Sequence, residues 1–189
     1  MVHAWMPAVI VNAFAILILL ILLVDIGQKQ RRFRLRDQKL FQWMLVNNIV
    51  ILILDAGTWV LNGQTFEGAR TLNLFFTTAF YIVDPVMSLL YIAYCDIKIG
   101  TPPEKRRRLS YLYCVPLAIN LVLALASIWH PLLFNIRGDN VYVRGPLLYV
   151  SFFLSYVLLA IAFIRVLYYR RQLVKKGNQT PFLCCNRGM

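Results

Sequence analysis

The segment NNIVILILDAGTWVLNG, residues 47–63, places an aspartate and three asparagines within a run of strongly apolar side chains. A hydrocarbon core of about 30 Å is crossed by about 20 consecutive apolar residues in an α-helix, so this segment predicts most of one transmembrane helix. An ionisable group such as Asp55 is costly inside lipid and is expected to face other helices or a cavity. The apolar run therefore predicts the fold, and its polar exceptions point to the function.

The composition of the whole chain is that of an integral membrane protein. Of its 189 residues, 60% are hydrophobic, and the mean hydropathy is +0.63, whereas soluble domains are about 45–50% apolar. The pattern predicts an all-α bundle of five transmembrane helices at residues 4–26, 40–62, 72–97, 109–132 and 146–168. These spans form one domain, residues 1–177, which is followed by a short basic tail, residues 178–189.

The basic residues give the expected orientation. The net charge is +12, and all the Lys and Arg residues except Arg70, Arg137 and Arg144 lie in the first and third loops, the end of the fifth span and the tail. Basic loops stay in the cytoplasm, so the N-terminus is expected outside and the C-terminus inside. Because the basic clusters alternate with apolar spans, they indicate contact with anionic lipid of the inner leaflet rather than with nucleic acid.

A small β-hairpin is predicted between the fourth and fifth spans. In FNIRGDNVYVRGP, residues 134–146, Phe134 and Ile136 alternate on one side of a Gly-Asp turn, and Val141 and Val143 alternate on the other. Such alternation about a turn is typical of two paired strands. The predicted topology puts this hairpin outside the cell, as a cap over the outer end of the bundle.

Polar side chains recur at helical spacing within the spans. Steps of three, four and seven residues place each set on one helix face, and these faces are expected to turn inward because lipid cannot hydrogen-bond to them. The sets are Asn48, Asp55, Trp59 and Asn62 on the second span, Thr77, Tyr81, Asp84 and Ser88 on the third, and Asn120 with its neighbours on the fourth.

Asp55 and Asp84 lie on neighbouring antiparallel spans and are expected to come within reach of each other. No Lys or Arg lies deep in the hydrocarbon to neutralise them. At least one carboxyl is therefore expected to be protonated, or to be bound to Asn, Tyr, Thr or water. Three roles stay open at this point: helix packing, a ligand or signal-transmitting pocket, and proton or ion conduction.

Two prolines lie within the predicted spans, and each is expected to bend its helix because it removes a backbone hydrogen bond. These are Pro85, directly after Asp84, and Pro116 on the fourth span. The four cysteines show no metal-ligand spacing and are expected to be reduced thiols. Neither a metal site nor a cofactor is predicted.

Three strings together resemble a known family: LDAGTWVLNG, LNLFFTTAFYIVDPVMSLLYIAYCD and NVYVRGPLLYVSFFLSYVLLAIAF. They are similar to the N-terminal multi-helix sensory region of membrane-bound GGDEF diguanylate cyclases of Firmicutes, and of related sensor histidine kinases. The family pattern is an acid followed by W-x-L-x-G, then an early Asn, a mid-span proline, L-x-Y and Y-x-R-G-P. The matching positions are Asp55, Trp59, Leu61, Gly63, Asn73, Pro85, Leu89, Tyr91, Tyr142, Arg144, Gly145 and Pro146.

The resemblance covers nearly the whole chain up to about residue 177, and the chain departs from it beyond that point. Two more spans and a cytoplasmic cyclase or kinase domain usually follow in such proteins, whereas this sequence ends in NQTPFLCCNRGM. It contains no GGDEF signature, phosphoacceptor histidine or nucleotide-binding glycine box, so no catalytic activity is expected of it. A truncated gene product and a stand-alone module are both consistent with this ending.

The leading hypothesis is a sensory module in the bacterial cytoplasmic membrane, with an outward-facing polar pocket for a small molecule. Its partner would be a cytoplasmic output domain or a second copy of the chain. A transporter or channel fragment and a purely structural membrane protein are the alternatives. The predicted pocket residues are Asn48, Asp55, Trp59, Asn62, Asn73, Thr77, Tyr81, Asp84, Ser88, Asn120 and Arg144.

Overall fold

A computed structural model describes residues 5–30 and 36–177, with the side chains of residues 6–28 and 38–169. The predicted tail, residues 178–189, and the centre of the first loop, residues 31–35, lie outside the described part. The elements in chain order are α1 (Trp5–Gln30), α2 (Arg36–Leu61), α3 (Ala69–Lys98), α4 (Pro103–Ala126), β1 (Phe134–Ile136), β2 (Tyr142–Arg144) and α5 (Leu148–Gly177).

The predicted fold class is confirmed. Each of the five described helices is long and apolar enough to cross a membrane, and a two-stranded antiparallel sheet stands between α4 and α5. The central helix is α3, which packs against α2, α4 and α5, while α1 packs against α2. Many large apolar side chains are exposed on the surface of the bundle, as expected of a surface that faces lipid.

The bundle has two distinct ends. The end that carries β1, β2 and the turn of residues 62–68 between α2 and α3 is called the hairpin end here. The opposite end, with residues 98–108 between α3 and the first turns of α4, is called the basic end because it holds five Lys and Arg residues.

The fourth helix begins and ends about six residues earlier than the predicted span. Pro103 is its first residue, a position that suits proline because the missing N–H would have no helical partner there. At the other end, the Ser127 hydroxyl donates to the Leu123 carbonyl at 2.7 Å and accepts from the Leu133 N–H at 2.9 Å. This contact directs the chain toward β1, so residues 127–132 lie outside the helix. The earlier start of the helix places the basic residues 105–108 in the first turns of α4.

The hairpin pairs Phe134 with Arg144 and Ile136 with Tyr142. Phe134 and Ile136 are buried, and the Phe134 ring stacks on Tyr81 of α3 with the ring centroids 5.4 Å apart. The turn residue with positive φ is Asn140, at 59°, a conformation that asparagine tolerates better than most residues. The predicted hairpin is therefore present, and it is anchored in the core at the hairpin end.

Gly145 follows the hairpin at a point of close backbone contact. Its N–H donates to the Leu133 carbonyl at 2.8 Å, and a Cβ on Gly145 would collide with the backbone of Leu132 and Leu133. The glycine of the R-G-P string therefore lets the chain pass tightly over the segment between α4 and β1 before α5 begins.

Candidate functional site

The main cavity lies at the hairpin end, between α2 and α5, with α3 behind it and β2 above it. Its volume is about 320 Å³, at the lower end of the range for small-molecule sites. The lining combines one acid, one arginine, one amide, five hydroxyls and six aromatic side chains. The lining residues are Asp55, Thr58, Trp59, Asn62, Thr77, Phe80, Tyr81, Tyr142, Arg144, Leu148, Tyr149 and Phe152.

Six of the eleven predicted pocket residues line this cavity. They come together because helical spacing gathers side chains of α2 and α3 on facing stripes, and because β2 folds back over them. The six are Asp55, Trp59, Asn62, Thr77, Tyr81 and Arg144.

The other five predicted residues lie elsewhere. Asn73 and Asn120 are fully buried in hydrogen-bonded contacts between elements, and Ser88 is buried further along α3. Asn48 and Asp84 are half-buried and form no hydrogen bond with any side chain in the described part of the chain. Their part in a pocket stays a prediction.

The Asp55 carboxylate takes its partner from α1 rather than from α3. Asn12 Nδ2 donates to Asp55 Oδ2 at 2.7 Å, and Asn12 is buried against α2. Asp84 is not among the described residues that line the cavity, so the two acids do not share it. Asn12 was missed from the sequence, although it is a lone amide in an otherwise apolar stretch of the first span.

Opposite charges face the same cavity. Asp55 has one carboxylate oxygen bound to Asn12, and Arg144 on β2 is exposed with no hydrogen-bonded or ion-paired partner among the described side chains. Aromatic rings, including Trp59 and Tyr149, form the walls. This arrangement can hold a small molecule with an apolar or aromatic body, a hydrogen-bond donor near Asp55 and an anionic group near Arg144.

The hairpin is fastened over the cavity by Asn140. The Asn140 side-chain amide donates to the carbonyls of Leu61 and Gln64, at 2.7 and 2.9 Å, and its Oδ1 accepts from Asn73 Nδ2 at 2.9 Å. Gly63 N–H donates to the Asn140 carbonyl at 2.9 Å. One buried side chain therefore joins the end of α2, the start of α3 and the hairpin.

A second link between hairpin and bundle runs along the cavity wall. The hydroxyls of Tyr81 and Tyr142 are 2.6 Å apart, and the Tyr142 N–H donates to Asn62 Oδ1 at 2.8 Å. Tyr142 and Asn140 were not among the predicted pocket residues. Tyr142 belongs to the Y-x-R-G-P string, and the positive φ of Asn140 follows from its place in a Gly-Asp-Asn turn.

Asn120 bridges three helices beneath the cavity. Pro85 has no N–H, so the carbonyl of Tyr81, four residues earlier, loses its usual helical partner. Asn120 Nδ2 of α4 donates to this carbonyl at 2.7 Å, and Asn120 Oδ1 accepts from the Ser151 hydroxyl of α5. Pro85 and Pro116 both lie within continuous helices, and the predicted bends themselves stay predictions.

A buried ion pair lies toward the basic end. Arg165 of α5 contacts the Asp96 carboxylate of α3, whose side chain is only 2% exposed. The same guanidinium donates to the Tyr113 hydroxyl at 2.6 Å and to the Thr101 hydroxyl at 3.3 Å. Asp96 was not among the predicted pocket residues. Its eight-residue separation from Ser88 places it on the inward face of α3 and is the clue that was overlooked.

Within residues 5–30 and 36–177, no three His, Cys, Asp or Glu side chains lie close enough together to hold a metal ion.

Comparison with known families gives one match. A family model described as the N-terminal 7TM region of histidine kinase matches residues 8–184. Neither the comparison with curated proteins nor that with solved structures gives a match. The match supports the histidine-kinase part of the resemblance, whereas the likeness to diguanylate cyclases stays a prediction. The family description gives seven spans, and the described residues contain five candidate spans.

Proposed function

Because the chain belongs to the family of N-terminal 7TM regions of histidine kinases, we propose that it is a membrane sensory module whose cavity at the hairpin end receives a small-molecule signal. The single observation that carries this proposal is the cavity itself, which unites an acid, an aromatic wall and an arginine that has no partner among the described side chains. Closely packed helices without a ligand-sized space would instead favour a purely structural role.

The proposed setting is a bacterial cytoplasmic membrane, with the N-terminus outside and the C-terminus inside. The basic residues of the sequence support this orientation. The cavity then opens on the outer side, where Arg144 meets ligands that arrive from outside the cell.

The proposed path of the signal runs along α5. This helix contributes Leu148, Tyr149 and Phe152 to the cavity, and Arg165, further along, holds the ion pair with Asp96. A ligand that draws the outer part of α5 toward α2 would therefore change the forces on the ion pair. A ligand shifts such an equilibrium only by binding the two arrangements with different affinity.

The output would be supplied by a cytoplasmic kinase or cyclase domain, or through pairing with a second copy of the chain. No catalytic step is proposed for the residues of this chain. A transporter or channel fragment would need a polar path through the whole bundle. Toward the basic end, the fully buried Ile92 and Ala162 pack with Leu158 between α3 and α5, and this packing favours the sensory proposal.

The test uses Trp59 as a probe of the cavity. Purified chain is screened against mixtures of small amphiphilic acids and amines, with tryptophan fluorescence as the readout and Trp59→Phe as the blank. A hit should lose at least tenfold in affinity in Asp55→Asn and in Arg144→Gln, because each removes a charged hydrogen bond worth about 1.5–3 kcal/mol. Glu67→Gln and Arg137→Gln, at residues outside the lining of the cavity, are the matched controls and should bind normally.

A second experiment tests signalling, with the chain fused to a histidine-kinase output domain in a reporter strain. Asp55→Asn should change the response to the hit without preventing membrane insertion. A normal response in Asp55→Asn combined with Arg144→Gln would refute the proposed pocket, and ion flux through liposomes containing the chain would favour the transport alternative.

A further inference from the structure

A second cavity lies at the basic end, where the start of α2, the end of α3 and the first turns of α4 meet. Its volume is also about 320 Å³. Its apolar wall is formed by Leu40, Ala93, Ile97 and Pro103, and its polar rim by Arg106, Arg107 and Ser110. This cavity is the α2–α4 groove, and no step of the proposed signalling uses it.

In the part of the chain that the structure describes, the side chains at the rim of the groove carry more positive than negative charge. Among the described side chains, no carboxylate lies within ion-pair distance of Arg106 or Arg107. The Asp96 carboxylate of α3 contacts Arg165. Residues 102–110 contain four basic side chains against the single acid Glu104, so the rim keeps a net positive charge.

The groove is expected at the depth of lipid headgroups. The candidate span of α3 ends at Lys98 and that of α4 begins at Pro103, and the basic residues 105–108 suit the boundary of a membrane. The cap residue of α4, Pro102, provides no side-chain hydrogen bond to the first turn. The free N–H groups there add positive potential to that of the arginines.

We propose that the α2–α4 groove binds an anionic phospholipid. The phosphate contacts the guanidinium groups of Arg106 and Arg107, and an acyl chain lies against Leu40, Ala93 and Ile97. The apolar wall favours a lipid over free phosphate, since a small inorganic anion would leave that wall unused. Basic pockets between helices on the cytoplasmic side of membrane proteins suit such headgroups.

Binding there would join α2, α3 and α4 beside the Asp96–Arg165 ion pair. The anionic lipid content of the membrane would then influence how firmly the basic end of the bundle is held together. This consequence is independent of any ligand in the cavity at the hairpin end, so either proposal can fail without the other.

The test measures lipid retention by native mass spectrometry of the whole chain, released from detergent with added phosphatidylglycerol or phosphatidylcholine. Wild type should retain phosphatidylglycerol preferentially. A charged hydrogen bond from a guanidinium to the phosphate gives roughly a tenfold or greater gain in affinity, so Arg106→Gln with Arg107→Gln should lose about 100-fold. Lys105→Gln with Arg108→Gln removes the same charge from the same helix outside the groove, and should lose no more than a few-fold.

A second variant leaves the charges in place. Ala93→Leu fills the apolar wall and should weaken phosphatidylglycerol retention, while added inorganic phosphate should not displace the lipid from wild type. Equal losses in the two charge variants would overturn the proposal in favour of general charge attraction. Normal retention by Ala93→Leu, or displacement by millimolar phosphate, would overturn the role of the apolar wall and with it the lipid site.

Discussion

The contact of Asn120 with the Tyr81 carbonyl makes a quantitative prediction. If Asn120 replaces the hydrogen bond that Pro85 removes, its importance should depend on that proline. In the wild-type background, Asn120→Ala removes the hydrogen bonds to Tyr81 and from Ser151. At about 1 kcal/mol each, the two losses should lower the free energy of unfolding by about 2 kcal/mol, besides any cost of the space left behind.

The Pro85→Ala background supplies the missing N–H, so the helix itself can satisfy the Tyr81 carbonyl. Asn120→Ala should then cost about 1 kcal/mol less than in wild type, because the bond to Ser151 and the lost volume count equally in both backgrounds. Couplings measured for hydrogen bonds between transmembrane helices average about 0.6 kcal/mol and reach about 1.7, so the expected value lies within the known range.

The assay is a double-mutant cycle on reversible unfolding in mixed micelles, followed by circular dichroism and tryptophan fluorescence. The matched control is Thr78→Val, which removes a hydrogen bond of 2.7 Å to the Leu74 carbonyl within α3, away from the carbonyl that Pro85 frees. Its cost should be the same in both backgrounds. Independent sites are additive within about 0.3–0.5 kcal/mol, so a coupling below that limit for Asn120 and Pro85 would refute the reasoning.

Three further predictions follow from other contacts. Asn140→Ala should destabilise the hairpin by about 2–3 kcal/mol through lost hydrogen bonds, and Asn140→Gly should cost about 1 kcal/mol less because glycine tolerates positive φ. Hydrogen exchange of the hairpin amides measures both costs. A higher cost for the glycine variant than for the alanine variant would contradict the role of φ. Arg165→Gln should lower the free energy of unfolding by about 3–5 kcal/mol, because it leaves the buried Asp96 charge unpaired. Adding Asp96→Asn to the same chain should recover most of that free energy in unfolding titrations. No recovery would argue against the ion pair. Gly145→Ala should cost about 1–3 kcal/mol through overpacking against the chain at Leu132, measured as a lower thermal midpoint, and an unchanged midpoint would contradict the close contact.

Patterns local to one helix could be predicted from the sequence. The spacing of Asp55, Trp59 and Asn62 placed them on one face, and all three line the cavity. The hairpin was predicted in the same way, from alternation about a turn. Such inferences succeed because helix and strand periods follow from backbone geometry alone.

Relations between helices could not be predicted in this way. Asp55 and Asp84 were expected to come within reach of each other, and this stays a prediction. The hydrogen bond from Asn12 of α1 to Asp55 could not be predicted, because the spacing of residues on one helix does not show which neighbouring helix a face meets. Asn140 was missed because its side chain binds backbone carbonyls of a turn that is distant in sequence. Every residue has a backbone carbonyl, so no sequence pattern marks these partners. The Arg165 contacts were missed because its charge already had an explanation in membrane topology.

The proline in α3 has a consequence for how the chain is made. Asn120 lies 39 residues after Tyr81, so α3 reaches the bilayer while its partner residue is still inside the ribosome. During that interval the Tyr81 carbonyl has no hydrogen-bond donor from the finished fold, and an unsatisfied carbonyl in hydrocarbon is costly. The insertion machinery should therefore retain α3 until α4 arrives and release the two helices as a pair. A nascent chain stalled with α3 exposed and Asn120 still inside the ribosome should crosslink to that machinery longer than one stalled after α4 has emerged.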